Sequence, residues 1–138
     1  MIDADAGLRA SQPEAFCLIP AIRIRHEPKY VLITLAGEVD FAAVASLRER
    51  LFALATRGRP MVADLDQVSF IDAAGLGVLA GAARRASVYG ASLYAVCARR
   101  QTRRLFRMTK LDRVIPLTGT IAEALQLALG PDTAVVAV

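Results

Sequence analysis

The chain has 138 residues, of which 55% are hydrophobic, and a formal net charge of +4. This length is typical of one domain with a single core, and no apolar run reaches the roughly 20 residues of a membrane-spanning helix. The two cysteines and one histidine form no disulfide framework and give little support to a metal site. The first residues lack the basic start and apolar core of a secretory signal, so we expect a cytoplasmic protein.

The first third of the chain predicts a leader followed by a β-hairpin. Residues 1–20 mix small, acidic and proline residues without periodicity, which favours a flexible leader in which 16–19 could still add a short edge strand. Apolar residues alternate over 22–25 and run continuously over 30–35. This pattern predicts a half-exposed strand paired with a mostly buried one. The turn-like residues 37–40 are expected to end the second strand.

Two helices with strand segments between them are predicted in the middle of the chain. Asp40 can accept hydrogen bonds from the first turn of a helix over 41–56. The apolar positions of that helix recur at spacings of three and four, at 44, 47, 51 and 54. A strand is predicted at 61–65, and a second apolar run at 68–71 leads into a helix over about 72–89.

The next strand and helix are predicted from a short apolar run and a basic segment. Residues 92–97 are expected to form a buried strand, in which Cys97 is a small core residue. Residues 100–110 are expected to form a helix that places Leu105 and Met108 inward and its arginines outward. The helix therefore carries its positive charge on the solvent side.

The last elements complete an α/β pattern. Pro116 makes 114–117 an edge strand, because proline cannot donate to a ladder. A threonine followed three residues later by glutamate opens a helix over 120–129, and residues 131–138 remain as an apolar C-terminal tail. The expected fold is a single α/β domain over 21–130, in which an N-terminal β-hairpin leads into βα units. These units give a mixed, mainly parallel sheet with helices packed on it.

Residues 68–77 (the signature segment) carry most of the functional information. A strand-like apolar run ends at Asp72, whose carboxylate can cap the helix that follows. The partial positive charge at a helix start favours a bound or attached phosphate. Small residues at 73, 74 and 75 leave this helix end open to close approach by a partner. The segment therefore indicates a binding surface at the start of the helix.

The signature segment resembles that of the STAS domain found in bacterial anti-sigma factor antagonists. Residues 37–40 resemble the family's Gly-Glu-hydrophobic-Asp turn, and 111–115 followed by 123–125 resemble its C-terminal pattern. The three matches occur in the family's order and cover about residues 20–130. The resemblance implies the same α/β fold that the alternation of strands and helices predicts.

The resemblance implies a protein that works by binding. Antagonists of this family bind an anti-sigma factor, commonly a kinase-like ATPase, and so release a sigma factor that starts transcription. In this partner switching, the kinase phosphorylates a serine or threonine at one of the two positions after the signature aspartate, and binding is lost. Alanines occupy both positions here, so no phosphorylation is expected at the family position. The implied partner-binding residues are Asp40, Asp72, Ala73, Ala74, Gly75 and Leu76.

The candidate residues also have purely structural interpretations. Asp72 can belong to a recognition surface or merely cap its helix, and the two roles are compatible. Asp40 resembles the acidic residue beside the family's phosphoacceptor, but a helix cap is the favoured interpretation. Gly75 is unfavourable in a helix, which indicates a close approach. Packing of the helix on a strand is favoured there over contact with a partner.

A run of basic residues is expected on one side of the helix at 100–110. It consists of Arg99, Arg100, Arg103, Arg104, Arg107 and Lys110. A solvated face is the favoured interpretation, since like charges four residues apart repel one another in a helix. An acidic protein or an anionic lipid is the next alternative. Nucleic acid has less support, because no aromatic residues lie between the charges to stack on bases.

The sequence lacks the groups of residues that catalysis usually requires. Neither a nucleophile–base pair nor a clustered general acid stands near the signature segment, so we expect neither an enzyme nor a cofactor. Two other kinds of STAS protein stay open as alternatives: a subunit of a membrane transporter, such as a lipid-transport complex, and a scaffold subunit of a sensory assembly. We expect no direct contact with nucleic acid and no membrane insertion. The oligomeric state is open, with a homodimer as one alternative.

Overall fold

A five-stranded sheet runs through residues 21–130, the part of the chain that the computed structural model describes. Its strands are β1 (Ala21–His26), β2 (Val31–Val39), β3 (Met61–Ile71), β4 (Leu93–Val96) and β5 (Leu117–Thr118). They lie side by side in chain order; β1 pairs with β2 antiparallel, and all other neighbours are parallel. The predicted leader, with its alternative edge strand at 16–19, and the tail at 131–138 lie outside the described residues.

Three of the helices cover one face of the sheet. The helices are α1 (Val44–Ala55), α2 (Ala73–Val88), α3 (Arg100–Met108) and α4 (Ile121–Leu129). The first three connect successive parallel strands. Because such crossovers are right-handed and each new strand is added on the same side, these helices lie over the same face. They share the larger core cluster, whereas α4 packs on the other face. The predicted mixed, mainly parallel sheet with packed helices is confirmed.

Strand β2 is buried on both faces of the sheet. Ile33 and Leu35 are fully buried in the larger cluster, beneath α1 and α2. Leu32, which points the other way, packs in the smaller cluster beneath α4. Burial on both faces explains why this strand is a continuous apolar run in the sequence, whereas the edge strand β1 alternates.

The predicted end of β2 at residues 37–40 was wrong. The strand continues to Val39, but its register against β3 shifts at two places after Thr34. Gly37 has a φ of 91°, which glycine adopts without strain. The irregular pairing absorbs the turn-like residues in the way that a β-bulge does, so the strand bends without ending.

The segments beside this irregularity differ from their predictions only in detail. The runs predicted at 61–65 and 68–71 belong to the single strand β3. The helix predicted over 41–56 begins as a 3-10 turn, Phe41–Ala43, before α1 follows. The helix predicted over about 72–89 is confirmed as α2.

Helix α3 turns a different side chain toward the core than the sequence predicts. Met108 is 68% exposed, so the prediction that it points inward was wrong. Thr102 and Phe106 are buried instead. These two residues lie four apart and share a helix face, and Phe106 joins the larger core cluster. Leu105 borders this face and packs against the cluster.

The strand predicted at 114–117 is shorter and begins later. Leu111–Arg113 forms a 3-10 turn, and Val114 is exposed. The carbonyl of Pro116 accepts a hydrogen bond from the Ala95 amide at 2.9 Å. Proline has no amide hydrogen to donate, so regular pairing begins only after it. The prediction that this strand lies at the sheet edge is confirmed.

Candidate functional site

One carboxylate joins two elements at the end of β3. The Asp72 Oδ1 accepts a hydrogen bond from the Gly75 amide at 2.9 Å, and its Oδ2 accepts one from the Phe41 amide at 3.2 Å. The Asp72 amide donates to the Val39 carbonyl at 3.2 Å. The predicted cap of α2 is confirmed, and the same side chain also holds the 3-10 turn against the start of that helix.

Asp40 occupies the equivalent place at the end of β2. Its Oδ1 accepts a hydrogen bond from the Ala42 amide at 3.1 Å, so it caps the 3-10 turn and not an α-helix directly. The carboxyl ends of adjacent parallel strands meet at one edge of a sheet. Asp40 and Asp72 are therefore neighbours, and their capped turns form one continuous surface.

The residues after Asp72 differ in their access to a partner. Ala73 is exposed and Ala74 is half-buried, whereas Gly75 and Leu76 are buried. A Cβ at Gly75 would lie 2.6 Å from the Val39 carbonyl oxygen, so the favoured interpretation of this glycine, packing on a strand, is confirmed. The accessible part of the predicted surface is therefore Asp72, Ala73 and Ala74, supported from below by the other two residues.

Two exposed phenylalanines adjoin this surface, and the sequence reasoning missed both. Phe41 follows Asp40 and is 81% exposed, and Phe70 is 51% exposed two residues before Asp72. Strand alternation offered a signal for Phe70, since it and the buried Ile71 cannot face the same side of β3. Large apolar side chains left in solvent beside a capped helix start are typical of a protein-binding surface.

The basic residues in and beside α3 divide into two groups. The Arg103 guanidinium donates to the Cys97 carbonyl at 2.8 Å, and that of Arg99 donates to the Val68 carbonyl. These two arginines therefore tie α3 to the core strands. The other members are exposed, as is Arg99: Arg100, Arg104, Arg107 and Lys110. Cys97 itself is fully buried in the larger core cluster, as predicted.

A cavity of about 450 Å³ separates the end of β3 from α3. Phe70, Asp72, Arg104 and Met108 are among the residues that line it. The exposed Met108, which was expected in the core, thus stands beside the signature segment. Basic and apolar side chains of α3 therefore lie next to the surface formed by Asp72, Ala73 and Ala74 and enlarge it.

Two features are absent from residues 21–130. Within them, no helix is long and apolar enough to cross a membrane. No three side chains of the His, Cys, Asp and Glu types are grouped there so that they could hold a metal ion. The features that stand out at the site are capped helix starts, exposed apolar side chains and arginines, which are groups suited to binding another molecule.

The arrangement matches a known family. The STAS domain model matches residues 21–124, and the chain belongs to the STAS domain family. The resemblance inferred from the signature segment is confirmed. The chain is 30% identical over 98 residues to the anti-sigma-B factor antagonist of Bacillus subtilis (strain 168), a match that covers 71% of this chain and 90% of that protein.

Solved structures show the same fold. The anti-sigma factor antagonist from Mycobacterium paratuberculosis has a TM-score of 0.72 at 24% identity, covering 79% of this chain and 93% of that one. The Bacillus cell fate determinant SpoIIAA, in its phosphorylated form, has a TM-score of 0.60 at 23% identity, covering 78% of this chain and 98% of that one. At these identities the likeness establishes the fold.

Proposed function

We propose that this chain is an anti-sigma factor antagonist. It binds a kinase-type anti-sigma factor in the cytoplasm and so releases the sigma factor that the anti-sigma factor holds. It acts by binding and not by catalysis. The 30% identity to the anti-sigma-B factor antagonist of Bacillus subtilis supports this class of function.

One observation supports the position of the binding surface. At the start of α2, Asp72 caps the helix, Ala73 is exposed, and Phe41 and Phe70 stand in solvent nearby. Burying such apolar side chains against a partner is favourable, and the part of this free energy that exceeds the cost of association appears as affinity. The small residues allow the partner's backbone to approach the start of α2 closely.

The proposed antagonist lacks the family's phosphoacceptor. The resemblance places that acceptor at one of the two positions after the aspartate, and Ala73 and Ala74 have no hydroxyl. A phosphate would add up to about two negative charges in the middle of the contact surface. Without it, binding is controlled by the amount of the protein or by a signal other than phosphorylation at these positions.

A binding titration of the purified chain against the kinase-type anti-sigma factors of its native organism tests the function. Replacing Ala74 with Arg should remove detectable binding, because the larger side chain occupies the centre of the contact. Ala122→Arg is the matched control, since Ala122 is exposed on α4, across the sheet. The exposed control should change the free energy of unfolding by no more than about 0.5 kcal/mol, and an unfolding transition of the Ala74→Arg variant checks that it is folded.

Two results would contradict the proposal in different ways. Undiminished binding by a folded Ala74→Arg variant would place the interface elsewhere on the domain. Failure of the natural chain to bind any of these anti-sigma factors would remove the antagonist function. Binding to a transporter subunit in the same assay would then favour the alternative role.

A further inference from the structure

A groove runs between α1 and α2, beginning beside the signature segment. Its volume is about 690 Å³, and Ala74 lines its near end. Small residues of α2 spaced three and four apart, Ala74, Gly77 and Gly81, keep it open on one side. Val88 and Tyr89 line its far end. From Ala74 to Val88, α2 rises about 20 Å, the length of a helix of about 14 residues.

The groove is basic and contains no carboxylate. Arg48, Arg84 and Arg85 line it, and none of its lining residues is acidic. The guanidinium carbons of Arg48 and Arg85 each lie 5.1 Å from the centroid of the Phe52 ring, close enough for a cation–π contact. Within residues 21–130, the ion pair that forms joins Arg25 and Glu27 on the N-terminal hairpin. The groove arginines thus lack a carboxylate partner in the described part of the chain.

Apolar surface accompanies this charge. Val88 is 81% exposed and Tyr89 is 49% exposed, and the Phe52 ring is only half-buried. An apolar floor with a rim of one charge is the kind of groove that an amphipathic helix of the opposite charge fills. The combination selects a protein ligand over a small anion, which has no use for the apolar floor.

Gly77 has no evident role within the chain itself. A Cβ at Gly81 would lie 2.8 Å from the Phe52 ring, which accounts for that glycine, but a Cβ at Gly77 would meet no atom within 4 Å. Glycine is among the least favourable residues in a helix interior. Its presence at 77 leaves open space where a side chain from a partner would fit.

We propose that the partner inserts an acidic amphipathic helix into this groove. Its carboxylates pair with Arg48, Arg84 and Arg85, and its apolar side chains cover Phe52 and the gap at Gly77. The inference rests on the proposed function, because it extends the contact of the anti-sigma factor from Ala74 along α2. A second copy of this chain is a poor occupant, since the net charge of +4 opposes its approach to a basic groove.

Two variants test the groove against the same anti-sigma factor. Gly77→Leu fills the open space without meeting the core, and the double variant Arg48→Glu with Arg85→Glu reverses the charge. Each should weaken binding by about tenfold or more. The double variant Arg23→Glu with Arg50→Glu is the matched control for charge: both arginines are exposed outside the groove lining, the net charge changes by the same amount, and the affinity should change by less than about twofold.

Different results would contradict docking in the groove and the antagonist function. If Ala74→Arg removes binding but the groove variants bind like the natural chain, the antagonist function stands and the groove is not the docking site. If Met108→Glu weakens binding and the groove variants do not, the extended contact lies on α3 and not in the groove. Sedimentation showing a dimer that Gly77→Leu dissociates would identify a second copy as the occupant and overturn the proposal.

A peptide provides a test without the anti-sigma factor. The probe is a synthetic 14-residue helix with leucines on one face and glutamates on the other, compared with the same peptide carrying lysines for glutamates. The glutamate peptide should shift the NMR amide signals of Gly77 and Gly81, and the lysine peptide should not. Unshifted signals, or equal shifts with both peptides, would contradict an acidic ligand.

Discussion

Gly75 and Gly77 lie two residues apart in α2 but have different surroundings. A Cβ at Gly75 would lie 2.6 Å from the Val39 carbonyl oxygen and 2.8 Å from its Cγ1, whereas a Cβ at Gly77 would meet nothing within 4 Å. We expect Gly75→Ala to destabilise the domain by about 2 kcal/mol or more, as overpacking against fixed backbone does. Gly77→Ala should instead stabilise it by up to about 1 kcal/mol, because alanine is the better helix former.

Urea unfolding of the two variants measures this difference directly. The pair is internally controlled, since both replace glycine with alanine in the same helix. Similar changes in the unfolding midpoint would contradict the close packing of α2 on the end of β2. Destabilisation by Gly75→Ala alone would support the close packing of α2 on Val39 at this residue.

Asp72 shows how a capping residue also determines a binding surface. Each carboxylate oxygen accepts one backbone amide, from Gly75 in α2 and from Phe41 in the 3-10 turn. A cap of this kind contributes about 1 kcal/mol to stability. Because it joins two elements, it also fixes the exposed Phe41 relative to the start of α2.

A solvated face is the favoured interpretation of the exposed arginines of α3, and steering of an acidic partner is the alternative that association kinetics can test. Arg103 has a structural role, since its guanidinium donates to the Cys97 carbonyl. Arg104 and Arg107 are therefore the residues to change. Reversing both to Glu should slow association while leaving dissociation nearly unchanged. The association rate of the natural chain should also fall as salt rises, because the screening length is about 8 Å at 0.15 M.

Stopped-flow association at several salt concentrations checks this expectation. The control reverses Arg23 and Lys29, which are exposed on the hairpin, and so makes the same change in net charge. Equal slowing by both double variants would assign the effect to total charge. An association rate that does not depend on salt would show that the basic residues of α3 do not steer the partner and form only a solvated face.

Elements with strong periodicity could be predicted from the sequence, and irregular ones could not. The helix opened by Asp72 follows from a capping residue and a continuous helical pattern, and it is found as α2. The continuation of β2 to Val39 depends on a register shift against β3, which is a property of the pair of strands and not of either alone. The sequence prediction placed Met108 in the core because apolar residues lie on two faces of α3, and either face can be the buried one. In the folded domain the face with Phe106 is buried.

The position of the site is a property of the whole sheet. Asp40 and Asp72 each follow a parallel strand, so their meeting at one sheet edge could be predicted from the strand pattern. The groove between α1 and α2 could not, because it depends on how the side chains of two helices pack across their interface. Arg48 and Arg85 meet at Phe52 only in the folded domain.

The absence of hydroxyls at 73 and 74 has a consequence for regulation. No phosphate ester can form at Ala73 or Ala74, whichever kinase is bound. Ser69 is the nearest hydroxyl along the chain to Asp72, and it is exposed on β3. A Ser69→Ala variant therefore separates the loss of the family switch from phosphorylation at a substitute residue.

The most direct measurement is the fluorescence anisotropy of a labelled sigma factor bound to its kinase-type anti-sigma factor, followed as this chain and then ATP are added. We expect the chain to displace the sigma factor and the displacement to persist with ATP, because the antagonist cannot be phosphorylated at Ala73 or Ala74. An Ala74→Ser variant is the comparison, in which displacement should decay as phosphate is gained. No displacement by the natural chain, or displacement that decays with ATP while the intact mass gains one phosphate, would contradict an antagonist without the family switch.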